Sequence, residues 1–177
     1  VPSAMSDGGT CPASSPSKRW FRITSSGDGM KMAANVNNGV IYYSSDAGAT
    51  WTASNSPYKY WRGITSSGDG MKMAAAVSDG VIYYSSDAGA TWTASTSPSK
   101  YWYGITSSDD GMKMAATVQS GVIYYSSDAG VTWTASTSPS KYWRGITCSG
   151  DGMKMAAVYD GVIYYSSDAG ATWTAST

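Results

Sequence analysis

The sequence predicts an all-β protein of four tandem four-stranded antiparallel repeats, each of the kind that makes a β-propeller blade, forming a small closed ring or an array completed by oligomerisation. Trp20, Trp61, Trp102 and Trp143 recur every 41 residues, and Trp51, Trp92, Trp133 and Trp173 keep that spacing except for one deletion in the last copy. A period of about 40 residues is typical of propeller blades and related arrays. Helix signals are nearly absent, because the chain has no Glu and no Leu and is rich in β-branched and aromatic residues. Turn chemistry returns at matching places in every copy. The repeats occupy 18–58, 59–99, 100–140 and 141–177, after an extension at 1–17.

The second copy shows the elements in order. "YWRGITSS" reads as a first strand and Gly68, Asp69 and Gly70 as a turn, in which glycine supplies positive φ. "MKMAAAV" is a second strand. Met71, Met73, Ala75 and Val77 make a bulky face and Lys72, Ala74 and Ala76 a small one, so the small face is expected where another sheet approaches closely. "SDG" turns the chain into "VIYYSS", the third strand, and "TWTAS" is the fourth. The Tyr83–Tyr84 pair sends its rings to opposite faces, leaving one free for stacking or subunit contact. Pro98 then ends the pairing, since it has no N–H to donate.

Between strands three and four the pattern S-x-D-x-G-x-T-W occurs four times. Its residues are Ser44, Asp46, Gly48, Thr50 and Trp51; Ser85, Asp87, Gly89, Thr91 and Trp92; Ser126, Asp128, Gly130, Thr132 and Trp133; and Ser166, Asp168, Gly170, Thr172 and Trp173. This resembles the Asp-box of bacterial neuraminidase-type (BNR) repeats, and the flanking "IYYSSDAGATW" and "ITSSGDGMKMAAA" are similar to blades of the propeller proteins that assist photosystem II assembly. The resemblance covers residues 18–177 and implies a structural role for the box. The chemistry agrees: Asp accepts N–H groups of its own turn, Gly adopts a conformation costly for other residues, and Trp covers the hairpin. A lone carboxylate without neighbouring oxygens is a poor calcium ligand.

Other classes are excluded by what the chain lacks. With 12 basic and 12 acidic residues the net charge is zero, which gives no electrostatic footprint for nucleic acid. No apolar run reaches the length of a membrane span. Absent histidine removes His-based acid–base and metal chemistry, so no cofactor and no metal are expected. Sialidases of the resembling class use an arginine cluster, a tyrosine nucleophile and acidic partners on a larger propeller. Here only Arg19, Arg22, Arg62 and Arg144 are present, and copies of one aspartate in like surroundings do not separate acid from base. An enzyme is not expected.

What near-identical repeats supply is one surface several times. Lys59, Tyr60 and Trp61, then Lys100, Tyr101 and Trp102, then Lys141, Tyr142 and Trp143, with Trp20 in the first copy, place a cation and aromatics at one edge of each unit. They are candidate contacts for a glycan bound with avidity, against the alternative that the Trp side chains fill spaces between blades. Residues 6–14, "SDGGTCPAS", read as a shortened fourth strand with Cys11 at the Trp position, and Cys148 replaces a Ser; a Cys11–Cys148 disulfide is expected, within one chain or between two. The functional expectation is a secreted, non-enzymatic scaffold or lectin-like binder. Its alternatives are a self-associating extracellular fibre subunit joined head to tail through the N-terminal extension, and an assembly-factor-like propeller.

Overall fold

The computed structural model describes residues 17–177. Blade 1 comprises β1 (Trp20–Ser25), β2 (Met32–Gly39), β3 (Ile41–Ser44) and β4 (Thr52–Ala53). Blade 2 comprises β5 (Lys59–Ser66), β6 (Met73–Val77), β7 (Tyr83–Ser85) and β8 (Thr93–Ala94). Blade 3 comprises β9 (Trp102–Ser107), β10 (Met114–Gly121), β11 (Ile123–Ser126) and β12 (Thr134–Ala135). In blade 4 the first strand is split into β13 (Lys141–Tyr142) and β14 (Gly145–Cys148), followed by β15 (Met155–Tyr159), β16 (Val162–Ser166) and β17 (Thr174–Ala175). The fold is all-β and propeller-like, and each blade pairs its strands antiparallel in chain order.

Adjacent blades are stitched by the backbone as well as by packing. Asn37 and Gly39 of β2 pair with Tyr60 and Lys59 of β5, and Gln119 and Gly121 of β10 pair with Tyr142 and Lys141 of β13. A bridge between Gly80 and Lys100 does the same between blades 2 and 3.

The core lies in three seams. In the first, Ala33 and Ile41 of blade 1 pack against Trp61, Met73, Ala75, Val77 and Trp92 of blade 2. In the second, Ala74, Ala76 and Ile82 of blade 2 pack against Trp102, Met114, Ala116, Val118 and Trp133 of blade 3. In the third, Ala115 and Ile123 meet Trp143, Met155, Ala157 and Trp173. Thus Ala74 and Ala76 do receive the next sheet, as their size predicts, and small-against-large packing lets two sheets approach without voids.

Several expectations change. Met71 is exposed in the turn rather than part of the bulky face, because β6 begins at Met73. The second tyrosine of each pair is mostly not free: a Cβ added to Gly130 would meet the Cβ of Tyr84 at 3.5 Å, so the next blade covers it. Tyr165 in blade 4 is the exception, 49% exposed. Cys11 and residues 6–14 lie outside the described residues, and with them the disulfide and the strand donation. Cys148 sits half-buried in the blade 3–4 seam, where its thiol donates to the Ser107 carbonyl at 3.0 Å and burial raises its pKa.

Candidate binding surface

The four boxes have one geometry. In blade 2 the Ser85 hydroxyl donates to Asp87 Oδ1 at 2.8 Å and accepts the Gly89 N–H at 3.0 Å. The Thr91 N–H donates to Asp87 Oδ1 at 2.9 Å and the Thr91 hydroxyl to Oδ2 at 2.6 Å. The Trp92 indole closes the turn on the Gly89 carbonyl at 2.9 Å. Two successive left-handed residues, Ala88 at φ 58° and Gly89 at φ 86°, make this wrap possible. Each carboxylate therefore already has three donors, and its pKa falls. Donation from Thr50 and Ser44 lowers Asp46 to about 2, and at Asp87 burial pushes upward but the bonds from Thr91 and Ser85 outweigh it.

A second Ser–Asp turn, unread as such in the sequence, stands at the other hairpin of each blade. The Ser67 hydroxyl donates to Asp69 Oδ1 at 2.5 Å, which also accepts the Met71 N–H at 2.9 Å. Its signal was the same Ser-x-Asp spacing, present at Ser26, Ser67, Ser108 and Ser149. These turns join the blades: Gly27 N–H donates to the Gly68 carbonyl, and Gly68 N–H to the Asp109 carbonyl, both at 2.7 Å. Lys31 and Lys72 reach the Asp69 and Asp110 carbonyls of the following blade at 3.1 and 3.0 Å.

The edge candidates separate into two groups. Trp61, Trp102 and Trp143 are buried in the seams and offer no face to a ligand, while Trp20 is half-buried on the outer face of blade 1. Their neighbours stay outside. Tyr60, Tyr101 and Tyr142 are 58%, 56% and 37% exposed, and Tyr58 is exposed beside them. Lys59 and Lys141 are half-buried and Lys100 exposed; Lys141 Nζ lies 4.9 Å from the Tyr159 ring, and the Arg144 guanidinium lies 5.0 Å from the Tyr142 ring.

Two grooves run along this edge. Tyr58, Lys59, Tyr60, Asn38, Asp79 and Tyr101 line one of ≈ 440 Å³. Lys100, Tyr101, Asp79, Gln119, Ser120 and Ser140 line another of ≈ 450 Å³. Each combines aromatic faces with both donors and acceptors, and Asp79 is the carboxylate in both. Such a set can stack on an apolar face and hydrogen-bond around it.

A family model described as BNR/Asp-box repeat matches residues 42–53, 83–94, 124–135 and 164–175. No curated protein matches the chain. Among solved structures, the Niastella koreensis GH74 enzyme is similar at TM-score 0.66 and 24% identity, over 86% of this chain and 23% of that one. YCF48 from Cyanidioschyzon merolae is similar at TM-score 0.65 and 16% identity, over 89% and 56%. A structure of YCF48 bound to D1 peptide gives 0.64 and 15%, over 89% and 55%. At these identities the likeness is one of fold, and the chain spans about a quarter of the GH74 enzyme and just over half of YCF48. With the four boxes matched in register and an antiparallel propeller-like sheet around each, the chain carries four BNR/Asp-box repeats, one in each blade of its all-β fold.

Proposed function

We propose that this chain is a non-enzymatic, secreted binding scaffold that uses its boxes as brackets and the Tyr60–Tyr101–Tyr142 edge as a multivalent glycan surface. The observation that carries the reading is the exposure of the same tyrosine in three successive blades, each beside a lysine, while the adjoining tryptophans are buried. An exposed aromatic ring flanked by polar side chains suits the apolar face of a sugar, and repeated weak sites gain avidity on a repetitive polymer. Glycoside hydrolysis needs a carboxyl pair in unlike environments, whereas Asp79 alone serves the two grooves and each box carboxylate is held by its own Ser and Thr. This supports binding over catalysis. A glycan array tests it: repetitive polysaccharides are expected to bind, and silence across the array counts against the reading.

A second reading has its own support. The likeness to a YCF48 structure bound to D1 peptide favours a peptide ligand on the same edge, in the manner of an assembly factor. A peptide array run beside the glycan array separates the two.

A further inference from the structure

We propose that the outer faces of blades 1 and 4 are the two halves of one interface, and that a second copy of this chain closes it head to tail, giving a two-copy ring of eight blades. In each of the three internal seams blade n presents a small-residue face and blade n+1 a tryptophan face. Among the described residues, blades 1 and 4 each show one half without the other.

Among the described residues, the tryptophan face of blade 1 lacks a cover. Ile23 is 62% exposed where Ile64 is 9%, and Trp20 and Trp51 are half-buried where Trp102 and Trp133 are buried. Together with Ala34 they line an open hollow of ≈ 440 Å³. A Cβ added to Gly89 would meet Tyr43 and Ala33 of the preceding blade, at 3.4 and 3.5 Å, but one added to Gly48 would meet only Met32 and Trp51 of its own blade.

Blade 4 exposes the complementary half. Ile163 is 50% exposed where Ile41, Ile82 and Ile123 are 0%, and Val158 and Tyr165 are open beside it. A Cβ on Gly63 would strike Ile105 of the next blade at 2.9 Å, while Gly145, at the same place in blade 4, has only Val158 of its own blade nearby. That position is shaped to take Ile23.

The polar groups match as well. In the internal seams Trp61, Trp102 and Trp143 donate their indole N–H to the Gly39, Gly80 and Gly121 carbonyls of the preceding hairpin. Trp20 and Gly161 hold these positions on the two outer faces. Likewise Lys113 reaches the Asp151 carbonyl and Asp109 N–H the Gly150 carbonyl, so Lys154 and Gly150 supply the donors at one end and Asp28 and Gly27 the acceptors at the other. Two copies of four blades make eight, within the range of about four to eight found in closed propellers.

Sedimentation equilibrium of the 177-residue chain over a wide dilution series tests this. The expected mass is that of two chains. Ile163→Arg and Ile23→Arg charge opposite faces, and each alone is expected to keep its circular dichroism, and its thermal midpoint at dilutions where the parent too is monomeric, while its dimer weakens by at least ~10-fold. Their equimolar mixture is expected to form a heterodimer through the one seam that both keep intact, blade 1 of the Ile163→Arg chain on blade 4 of the Ile23→Arg chain. It is expected to be tighter than either variant alone but weaker than the parent pair, because the other seam carries both charges. A monomer at every concentration, or a dimer that neither substitution weakens, overturns the proposal. A ladder of open oligomers overturns the closed pair.

Discussion

The indole Nε1 of Trp102 donates to the carbonyl of Gly80 at 2.9 Å, across the seam between blades 2 and 3. Trp102 is thereby anchored at both ends, its ring 5.2 Å from Tyr124 and 6.2 Å from Trp133 within its own blade and its N–H in the preceding one. Trp102→Phe keeps an aromatic ring but removes one of the two donors to that carbonyl, which the Lys100 N–H still reaches at 3.0 Å, and leaves part of the site empty. The expected cost is about 2 kcal/mol, seen as a lower denaturant midpoint with an unchanged slope.

The eight Ser–Asp turns make the fold acid-sensitive in a definite direction. Asp46 is lowered from 3.8 to about 2 by donation from Thr50 and Ser44, and Asp28, Asp69, Asp110 and Asp151 are lowered by their own Ser hydroxyls and by backbone N–H groups. A depressed folded-state pKa contributes stability that is complete above the unfolded value and is lost as pH falls through the folded one. Stability is therefore expected to hold down to about pH 4 and to decline between about pH 4 and pH 2. Urea midpoints measured across that window check it, and a decline that begins above pH 5 would contradict it.

Two glycines with the same backbone separate strain from crowding. Gly29 and Gly111 have φ of 72° and 67°, but a Cβ on Gly29 has nothing within 4 Å while one on Gly111 would lie 2.8 Å from both Lys72 Cβ and Ser67 Cβ. Gly29→Ala is expected to cost about 1 kcal/mol from the left-handed backbone alone, and Gly111→Ala about 2–4 kcal/mol with overpacking added. Chemical denaturation at high dilution compares them.

The repeat also points to its own repair. Asn35 accepts the Arg22 N–H at 3.0 Å through Oδ1, but its buried Nδ2 has no partner. At the equivalent place in blade 3, Thr117 Oγ1 accepts the Gly104 N–H at 2.9 Å without carrying a second donor pair. Asn35→Thr is expected to raise stability by about 1 kcal/mol, measured by the thermal midpoint.

The repeat period, the strand order and the box were legible because each rests on local chemistry written four times. The small face of Ala74 and Ala76 was legible for the same reason, since strand alternation fixes which residues share a side. The bonds from Lys31, Lys72 and Lys113 to the following blade were not, because they depend on how the turns of adjacent blades align. Nor does sequence alone say which aromatic of Tyr101 and Trp102 is exposed. The seam decides that: Trp102 faces the Gly80 hairpin, and Tyr101, one residue earlier, is left outside. The Ser67–Asp69 turn has the same Ser-x-Asp spacing as the box but lacks its Thr-Trp, and its flanking Gly68 and Gly70 signal backbone conformation rather than a side-chain bond.

The bracket and the tyrosine edge are tested together by one binding isotherm. Asp87→Asn and a Tyr60→Ala, Tyr101→Ala, Tyr142→Ala triple variant are titrated with the polysaccharide that scores highest on the array. Asp87→Asn is expected to lower the thermal midpoint while leaving affinity within about 2-fold, and the triple variant to keep its stability while losing at least ~10-fold in affinity. Loss of binding in folded Asp87→Asn, with the triple variant unaffected, would place the ligand at the box and contradict the account.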